Sequence, residues 1–189
     1  MYLFFDTETT GLPKNYNAPV HDVQNWPRMV QLAWALYDEN EILIEAKDYI
    51  IKPVGFTIPA DVVKIHGITT DIALNKGIDL DTVLHEFRDI TSKATYLVAH
   101  NISYDLNILG AEYFRNKINM NFYKFNQICT MKSTAEFCRI PGRYGYKWPN
   151  LNELYMSLFN EPLRNAHSAM VDVTACAKAF FELRRRGVL

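Results

Sequence analysis

The first apolar run of the chain, Tyr2 to Phe5, leads directly into the acidic segment Asp6-Thr7-Glu8. The run is short and aromatic, as is typical of a buried strand, and Gly11-Leu12-Pro13 marks its end. Residues two apart on a strand point to the same face, so the carboxylates of Asp6 and Glu8 are predicted to lie side by side. Neighbouring carboxylates repel and raise each other's pKa unless cations lie between them. The alternative is a polar strand end that faces water.

Strand-like and helix-like segments alternate along the rest of the chain. Met29 to Tyr37 and Ile42 to Ile51 are predicted to be strands joined by Asp38-Glu39-Asn40, and further strands are predicted near residues 95–100 and 125–130. Helical spacing of apolar residues predicts buried stripes at Leu80, Val83, Leu84, Phe87 and Ile90; at Leu106, Leu109, Gly110, Tyr113 and Phe114; at Leu151, Leu154, Tyr155, Leu158 and Phe159; and at Ala169, Val173, Cys176, Phe180 and Leu183. This order predicts an α/β fold, with a mixed five-stranded sheet flanked by helices on both faces. A single domain over residues 1–189 is expected.

Two further acidic residues stand where these elements begin. Asp105 follows a predicted strand at the start of a helix, although helix capping and the helix dipole alone favour an aspartate there. Asp172 lies beside the buried stripe of the last helix, where a carboxylate is costly unless something binds it. His167 precedes that helix, and Ser168 is a candidate N-cap. Taken singly, none of these residues decides a function.

Together these segments resemble the DEDDh 3′–5′ exonucleases, whose familiar members are the proofreading, epsilon-like subunits of bacterial DNA polymerase III. The matching residues are Asp6, Glu8, Asp105, His167 and Asp172, with further matches at Ile65-His66-Gly67-Ile68-Thr69 and Trp148-Pro149-Asn150-Leu151. The resemblance runs from about Tyr2 to Leu183. It implies a ribonuclease H-like fold and release of nucleoside monophosphates from DNA 3′ ends.

The resemblance also implies a mechanism. Asp6, Glu8, Asp105 and Asp172 would hold two divalent ions, Mg²⁺ or Mn²⁺, about 4 Å apart around the scissile phosphate. Asp6 would bridge the ions, Glu8 and Asp172 would complete one shell, and Asp105 would hold the other ion. His167 would act as general base, a task that suits the ordinary histidine pKa of about 6.5.

Substrate contacts are likewise expected from the resemblance, at Thr7, Thr9, Asp61, His66, Ile68 and Asn101. Ile68 is expected to pack against the terminal base. The segment from Ile58 to His66 also has the pattern of a short amphipathic helix capped by Gly67, and both interpretations can hold together. His100, directly after a buried strand, is predicted to be structural rather than a ligand.

Three functions are consistent with these motifs. A metal-dependent exonuclease acting on single-stranded or frayed DNA ends is favoured. An RNA-trimming or oligoribonucleotide-degrading relative is the alternative, because the 2′-hydroxyl contacts that separate RNA from DNA cannot be read from the sequence. An inactive nucleic-acid-binding module is disfavoured by the intact acidic set.

The charge balance sets limits on the partner. A net charge of −1 and a pI near 6.5 argue against a protein that coats long nucleic acids, whereas an end-directed nuclease needs few phosphate contacts. Basic residues still cluster at Arg139, Arg143 and Lys147, interleaved with Tyr144 and Tyr146. Two interpretations are open: an edge that guides the nucleic-acid strand by stacking, or a solvated loop.

The loop at residues 13–28 is longer than a minimal turn and contains Tyr16 and Trp26. It is expected either to border the active site or to pack Trp26 onto the sheet.

The remaining expectations concern the cell. Three cysteines without CxxC spacing, no secretory signal pattern and no membrane-length apolar run are typical of a reduced, cytoplasmic protein. Few residues follow the last motif, which argues against a constitutive polymerase partnership, although such an association is left open.

Overall fold

The computed structural model describes residues 1–164, 166 and 168–189. Its main sheet contains β1 (Tyr2–Thr9), β2 (Met29–Tyr37), β3 (Leu43–Ile50), β4 (Tyr96–Ala99) and β5 (Asn126–Cys129), in the order β3-β2-β1-β4-β5. β1 pairs antiparallel with β2 and parallel with β4, so the sheet is mixed. The predicted five-stranded α/β architecture is therefore confirmed.

In the described part of the chain, the helices all come after β3. They are α1 (Ala60–His66), α2 (Thr70–Lys76), α3 (Leu80–Ser92), α4 (Ile102–Arg115), α5 (Thr130–Ser133), α6 (Ala135–Cys138), α7 (Leu151–Phe159) and α8 (Ala169–Arg185), with a 3₁₀ turn at Phe122–Lys124. Gly67 ends α1 in the left-handed region at φ 76°, as predicted. A small hairpin, β6 (Pro141–Gly142) with β7 (Gly145–Tyr146), precedes α7.

The alternation of side chains along β1 divides the core into two layers. Leu3 and Phe5 pack with residues of α3 and α4 on one face of the sheet. Tyr2 and Phe4 pack with residues of α8 on the other face. Because successive residues of a strand point to opposite faces, this parity also decides where the polar end of β1 points. Helices cover both faces, as the sequence predicts.

Most residues of the predicted helix stripes are buried, but the prediction that Phe114 is buried is wrong. Its side chain is 54% exposed, while Ile102, Ile108 and Ala111 of the same helix are buried. At about 100° per residue, Phe114 lies about 80° around the helix from Leu106 and falls outside the stripe.

The structure also tests the remaining fold expectations. Cys129, Cys138 and Cys176 are free thiols, of which Cys176 is buried. Trp26 is 3% exposed and packs in the core cluster against the sheet, so one interpretation of the 13–28 loop is confirmed. Among the described residues, no helix combines the length and apolar character needed to cross a bilayer.

Candidate active site

Three carboxylates converge at the polar end of β1. Asp6 and Glu8 continue the face of Phe4, which is the face that α8 covers, and Asp172 lies in the first turn of α8. One oxygen from each of these side chains lies within 4.8 Å of the others, and all three residues are half-buried. The strand period and the packing of one helix are thus sufficient to bring these groups together.

Asp105 approaches the same end of β1 from α4. Its Oδ1 accepts hydrogen bonds from the backbone N–H of Thr7 at 3.1 Å and from the Thr7 hydroxyl at 2.8 Å. Thr7 is the residue of β1 that points to the opposite face from Asp6 and Glu8. It therefore fixes a fourth carboxylate beside the other three.

The pKa values show how unfavourable this arrangement is for bare carboxylates. Burial, together with the nearby charges of Asp172 and Asp105, raises the pKa of Glu8 to about 7. Burial also raises the pKa of Asp105 to about 7, against the lowering effect of the two Thr7 hydrogen bonds. The pKa of Asp6 is raised well above its ordinary value by burial and then by Asp105, Asp172 and Glu8. Cations bound between these oxygens would remove the penalty.

The turn that carries Asp105 has its own local support. Asn101, the N-cap of α4, adopts φ 76°, a left-handed conformation that asparagine tolerates better than most residues. The neighbouring His100 ring donates from Nε2 to the Pro149 carbonyl at 3.0 Å, and its Nδ1 lies 3.0 Å from the Thr130 hydroxyl. Burial lowers the pKa of His100 to about 4, so the ring is neutral. The prediction of a structural histidine is confirmed.

Gln31 supports the helix that carries Asp172. Its Oε1 accepts from the backbone N–H of Ala169 at 3.4 Å, and its Nε2 donates to Asp48 at 2.7 Å. Gln31 also stands opposite Glu8 in the β1–β2 register. Ser168 occupies the N-cap position of α8 but makes no side-chain capping bond. No local sequence pattern selects Gln31, because its role depends on contacts with residues distant in the chain.

A cavity of about 320 Å³ opens beside the carboxylates. Its residues come from β1, the following loop, α1 and α4, and they are Thr7, Glu8, Thr9, Gly11, Leu12, Tyr16, Val62, Ile65, His66, Asn101 and Tyr104. The lining combines the apolar side chains of Leu12, Val62 and Ile65 with the carboxylate of Glu8. The 13–28 loop therefore also borders this site through Tyr16, so both interpretations of the loop are correct.

Four of the predicted substrate-binding residues line this cavity, but two of their hydroxyls are already engaged. Thr7 bonds to Asp105, and the Thr9 hydroxyl donates to the Gly11 carbonyl at 2.7 Å. His66 accepts from the backbone N–H of Ile68 at 3.1 Å, and Asn101 forms the turn before α4.

The other two predicted contacts lie elsewhere. Ile68 is 6% exposed and packs in a core cluster with Val30, Ile58, Val62 and Ala73, so Val62 and Ile65 form the apolar wall instead. Asp61 is exposed in the first turn of α1, one turn before Ile65. His167, the expected general base, lies outside the described residues.

Comparison with known proteins places this geometry in a family. The exonuclease family model RNase T matches residues 3–180. The chain belongs to this exonuclease family. It is 31% identical to the DNA polymerase III epsilon subunit of Treponema pallidum, over 93% of this chain and 73% of that protein. It is also 31% identical to the PolC-type DNA polymerase III of Streptococcus pneumoniae, over 95% of this chain but only 11% of that protein.

Solved structures show the same fold. E. coli exonuclease I in complex with a dA16 oligonucleotide superposes with a TM-score of 0.75 at 19% identity, covering 97% of this chain and 40% of that chain. A product-bound exonuclease I gives a TM-score of 0.75 at 17% identity, over 99% of this chain and 44% of that chain. The predicted ribonuclease H-like fold is confirmed.

Tyr104 also belongs to the site, although the sequence motifs did not identify it. Its hydroxyl lies 2.7 Å from the Thr9 hydroxyl and donates to the Gly11 carbonyl at 3.1 Å, and its ring borders the cavity. The signal was present, because Tyr104 directly precedes Asp105 in the second motif. An aromatic residue there is equally compatible with a helix core, so the pattern alone could not decide.

Proposed function

We propose that this chain is a metal-dependent 3′–5′ exonuclease that releases nucleoside monophosphates from single-stranded or frayed DNA ends. The observation that supports this most is the convergence of Asp6, Glu8 and Asp172 oxygens within 4.8 Å. The relatives agree with it, since they include a DNA polymerase III epsilon subunit and an exonuclease I solved with a DNA oligonucleotide.

The donor set fits two hard divalent cations. Carboxylate oxygens are the ligands that Mg²⁺ and Mn²⁺ prefer, and half-buried carboxylates with raised pKa values gain most from such ions. Asp6, Glu8 and Asp172 would hold one ion, and Asp105 with Asp6 would hold the second. When bound, the ions supply stabilisation of negative charge on the attacking and leaving oxygens.

The chain's own residues supply positioning. Both Thr7 hydrogen bonds go to Oδ1 of Asp105, so Oδ2 is not used by Thr7. The apolar wall formed by Leu12, Val62 and Ile65 offers a surface for the terminal base. A volume of about 320 Å³ is at the small end of the range for ligand sites, as expected for one nucleotide.

The test uses matched DNA and RNA oligomers labelled at either end. With Mg²⁺ or Mn²⁺, we expect mononucleotides from the 3′ end of DNA, no cleavage of a closed circle, and no reaction after chelation. Asp6→Ala should abolish the activity. Hydrolysis that survives chelation, or endonucleolytic cuts in the circle, would contradict the proposal. Faster degradation of the RNA oligomer would instead select the RNA-trimming alternative.

His167 is proposed as general base on the strength of the family resemblance alone. His167→Ala should reduce kcat by about 100-fold or more, because general-base catalysis contributes roughly 10²–10⁴ in rate. Binding of Mn²⁺ and of a nucleoside monophosphate should remain close to wild type by calorimetry. Equal losses in binding and in rate would remove His167 from this role.

A further inference from the structure

We propose that an aromatic–basic surface beside the active site, formed by Lys132, Arg143, Tyr144 and Trp148, binds the single DNA strand upstream of its 3′ end. We call it the upstream-strand surface. It rests on the proposed function, since it adds a second contact region for the same substrate.

The hairpin before α7 holds large aromatic side chains in solvent. Strands β6 and β7 pair through Pro141 and Tyr146, and the turn between them consists of Arg143 and Tyr144. The side chain of Tyr144 is 89% exposed and that of Trp148 is 57% exposed. Exposed aromatic rings of this size are typical of a binding surface, because their burial by a partner is favourable.

Cations lie on these rings. The guanidinium of Arg143 is 5.1 Å from the centre of the Tyr144 ring, and Nζ of Lys132 is 5.6 Å from the centre of the Trp148 ring. Within the described ranges, neither cation takes part in an ion pair, whereas Lys147 pairs with Glu153 at 2.6 Å. Two cations available for phosphates beside two rings available for bases match the chemistry of single-stranded nucleic acid.

The part of the surface formed by Lys132 and Trp148 adjoins the elements that carry the carboxylates. Nζ of Lys132 lies 3.4 Å from the hydroxyl of Ser103, which is in the first turn of α4, two residues before Asp105. Pro149, the neighbour of Trp148, accepts the hydrogen bond from His100. Asn150 and Leu151 line a cavity of about 430 Å³ together with Asp172. A strand whose last nucleotide is cleaved at the carboxylates thus has this surface within reach of its preceding nucleotides.

The test compares a dinucleotide and a dodecanucleotide of thymidylate with the same 3′ end. The ratio of kcat/KM for the long over the short substrate should fall by about 5-fold or more in Trp148→Ala, because stacking on one aromatic ring contributes about 1–3 kcal/mol per base. For the long substrate, the double variant Lys132→Ala/Arg143→Ala should lower the slope of log KM against log salt concentration by about 1.4. Each phosphate contact on a single strand contributes about 0.7 to this slope.

Lys47→Ala is the matched control. Lys47 also lies over an aromatic ring, 5.7 Å from the centre of Tyr49, but on the edge strand β3 at the far side of the sheet. It should keep both the length ratio and the salt dependence of the wild type. If the surface variants also keep them, the upstream-strand surface is refuted while the proposed function stands. If the wild type hydrolyses neither oligomer, the proposed function fails and this inference fails with it.

Discussion

At the scale of single residues, the acidic cluster works against the stability of the metal-free fold. Asp6, Glu8 and Asp105 all have raised pKa values, which means that their ionised forms are less stable in the folded protein than in the unfolded chain. Carboxylates perturbed in this way are typical of functional sites.

Metal binding should therefore appear as thermal stabilisation. At a metal concentration about 100-fold above Kd, binding adds about 2.7 kcal/mol, or roughly 5–10 °C in Tm for a chain of this size. We expect this rise for the wild type when Mn²⁺ replaces chelator, and almost none for Asp6→Asn, measured by differential scanning fluorimetry. Asp89→Asn, at an exposed acid on α3, should keep the full rise. An undiminished rise in Asp6→Asn would place the metal elsewhere.

His100 should give the protein an acid-sensitive step of its own. Its pKa is about 4 in the folded protein against an ordinary value of 6.5, so the unfolded chain binds the proton first as pH falls. Its contribution is fully present above pH 6.5 and is lost between pH 6.5 and 4, to an extent on the order of 3 kcal/mol. Urea unfolding of the wild type and of His100→Gln across this window isolates the effect, because the carboxylates titrate in both proteins. Parallel stability curves for the two proteins would contradict it.

At the scale of elements, a buried ion network ties the 13–28 loop to α4. The fully buried carboxylate of Glu112 accepts from Arg28 Nε at 2.9 Å and from the backbone of Met29 at 3.0 Å, and lies 3.1 Å from Arg115 Nη1. Nη2 of Arg115 donates to the Val23 and Trp26 carbonyls at 2.6 Å each. The helix that carries Asp105 is thereby fixed to the loop that carries Tyr16.

Breaking this network should be costly. Glu112→Gln leaves the half-buried guanidinium groups of Arg28 and Arg115 without their buried carboxylate, and we expect a loss of about 3 kcal/mol in the free energy of unfolding by urea titration. Glu45→Gln removes an ion pair at the surface, in which the side chain of Glu45 is 36% exposed and that of Lys93 is 55% exposed. This change should cost less than about 1 kcal/mol. Similar losses in both variants would show that the buried network has no special role.

At the scale of the whole molecule, the periodicity of the sequence predicted the layers of sheet and helices, but it did not predict that four carboxylates converge. The strand period placed Asp6 and Glu8 on one face, and the alternation of elements predicted a covered, mixed sheet. That Asp105 and Asp172 join them was implied by resemblance to a family, because each residue alone fits a helix start or a helix flank. Gln31, Tyr104 and Arg115 act through hydrogen bonds to residues distant in sequence, and no local pattern encodes such partners. The prediction that Phe114 is buried was wrong because residues eight apart, such as Leu106 and Phe114, lie about 80° apart around a helix.

The shared alternation of β1 has a consequence for how this chain can change over time. Single substitutions can alter the aromatic residues of β1 and its acids independently. A codon inserted or deleted between Tyr2 and Glu8 would instead invert the facing of every strand residue on one side of the change, so the rings and the carboxylates could no longer all face α8. Length variation among descendants should therefore accumulate in the loops, and this strand should keep its length.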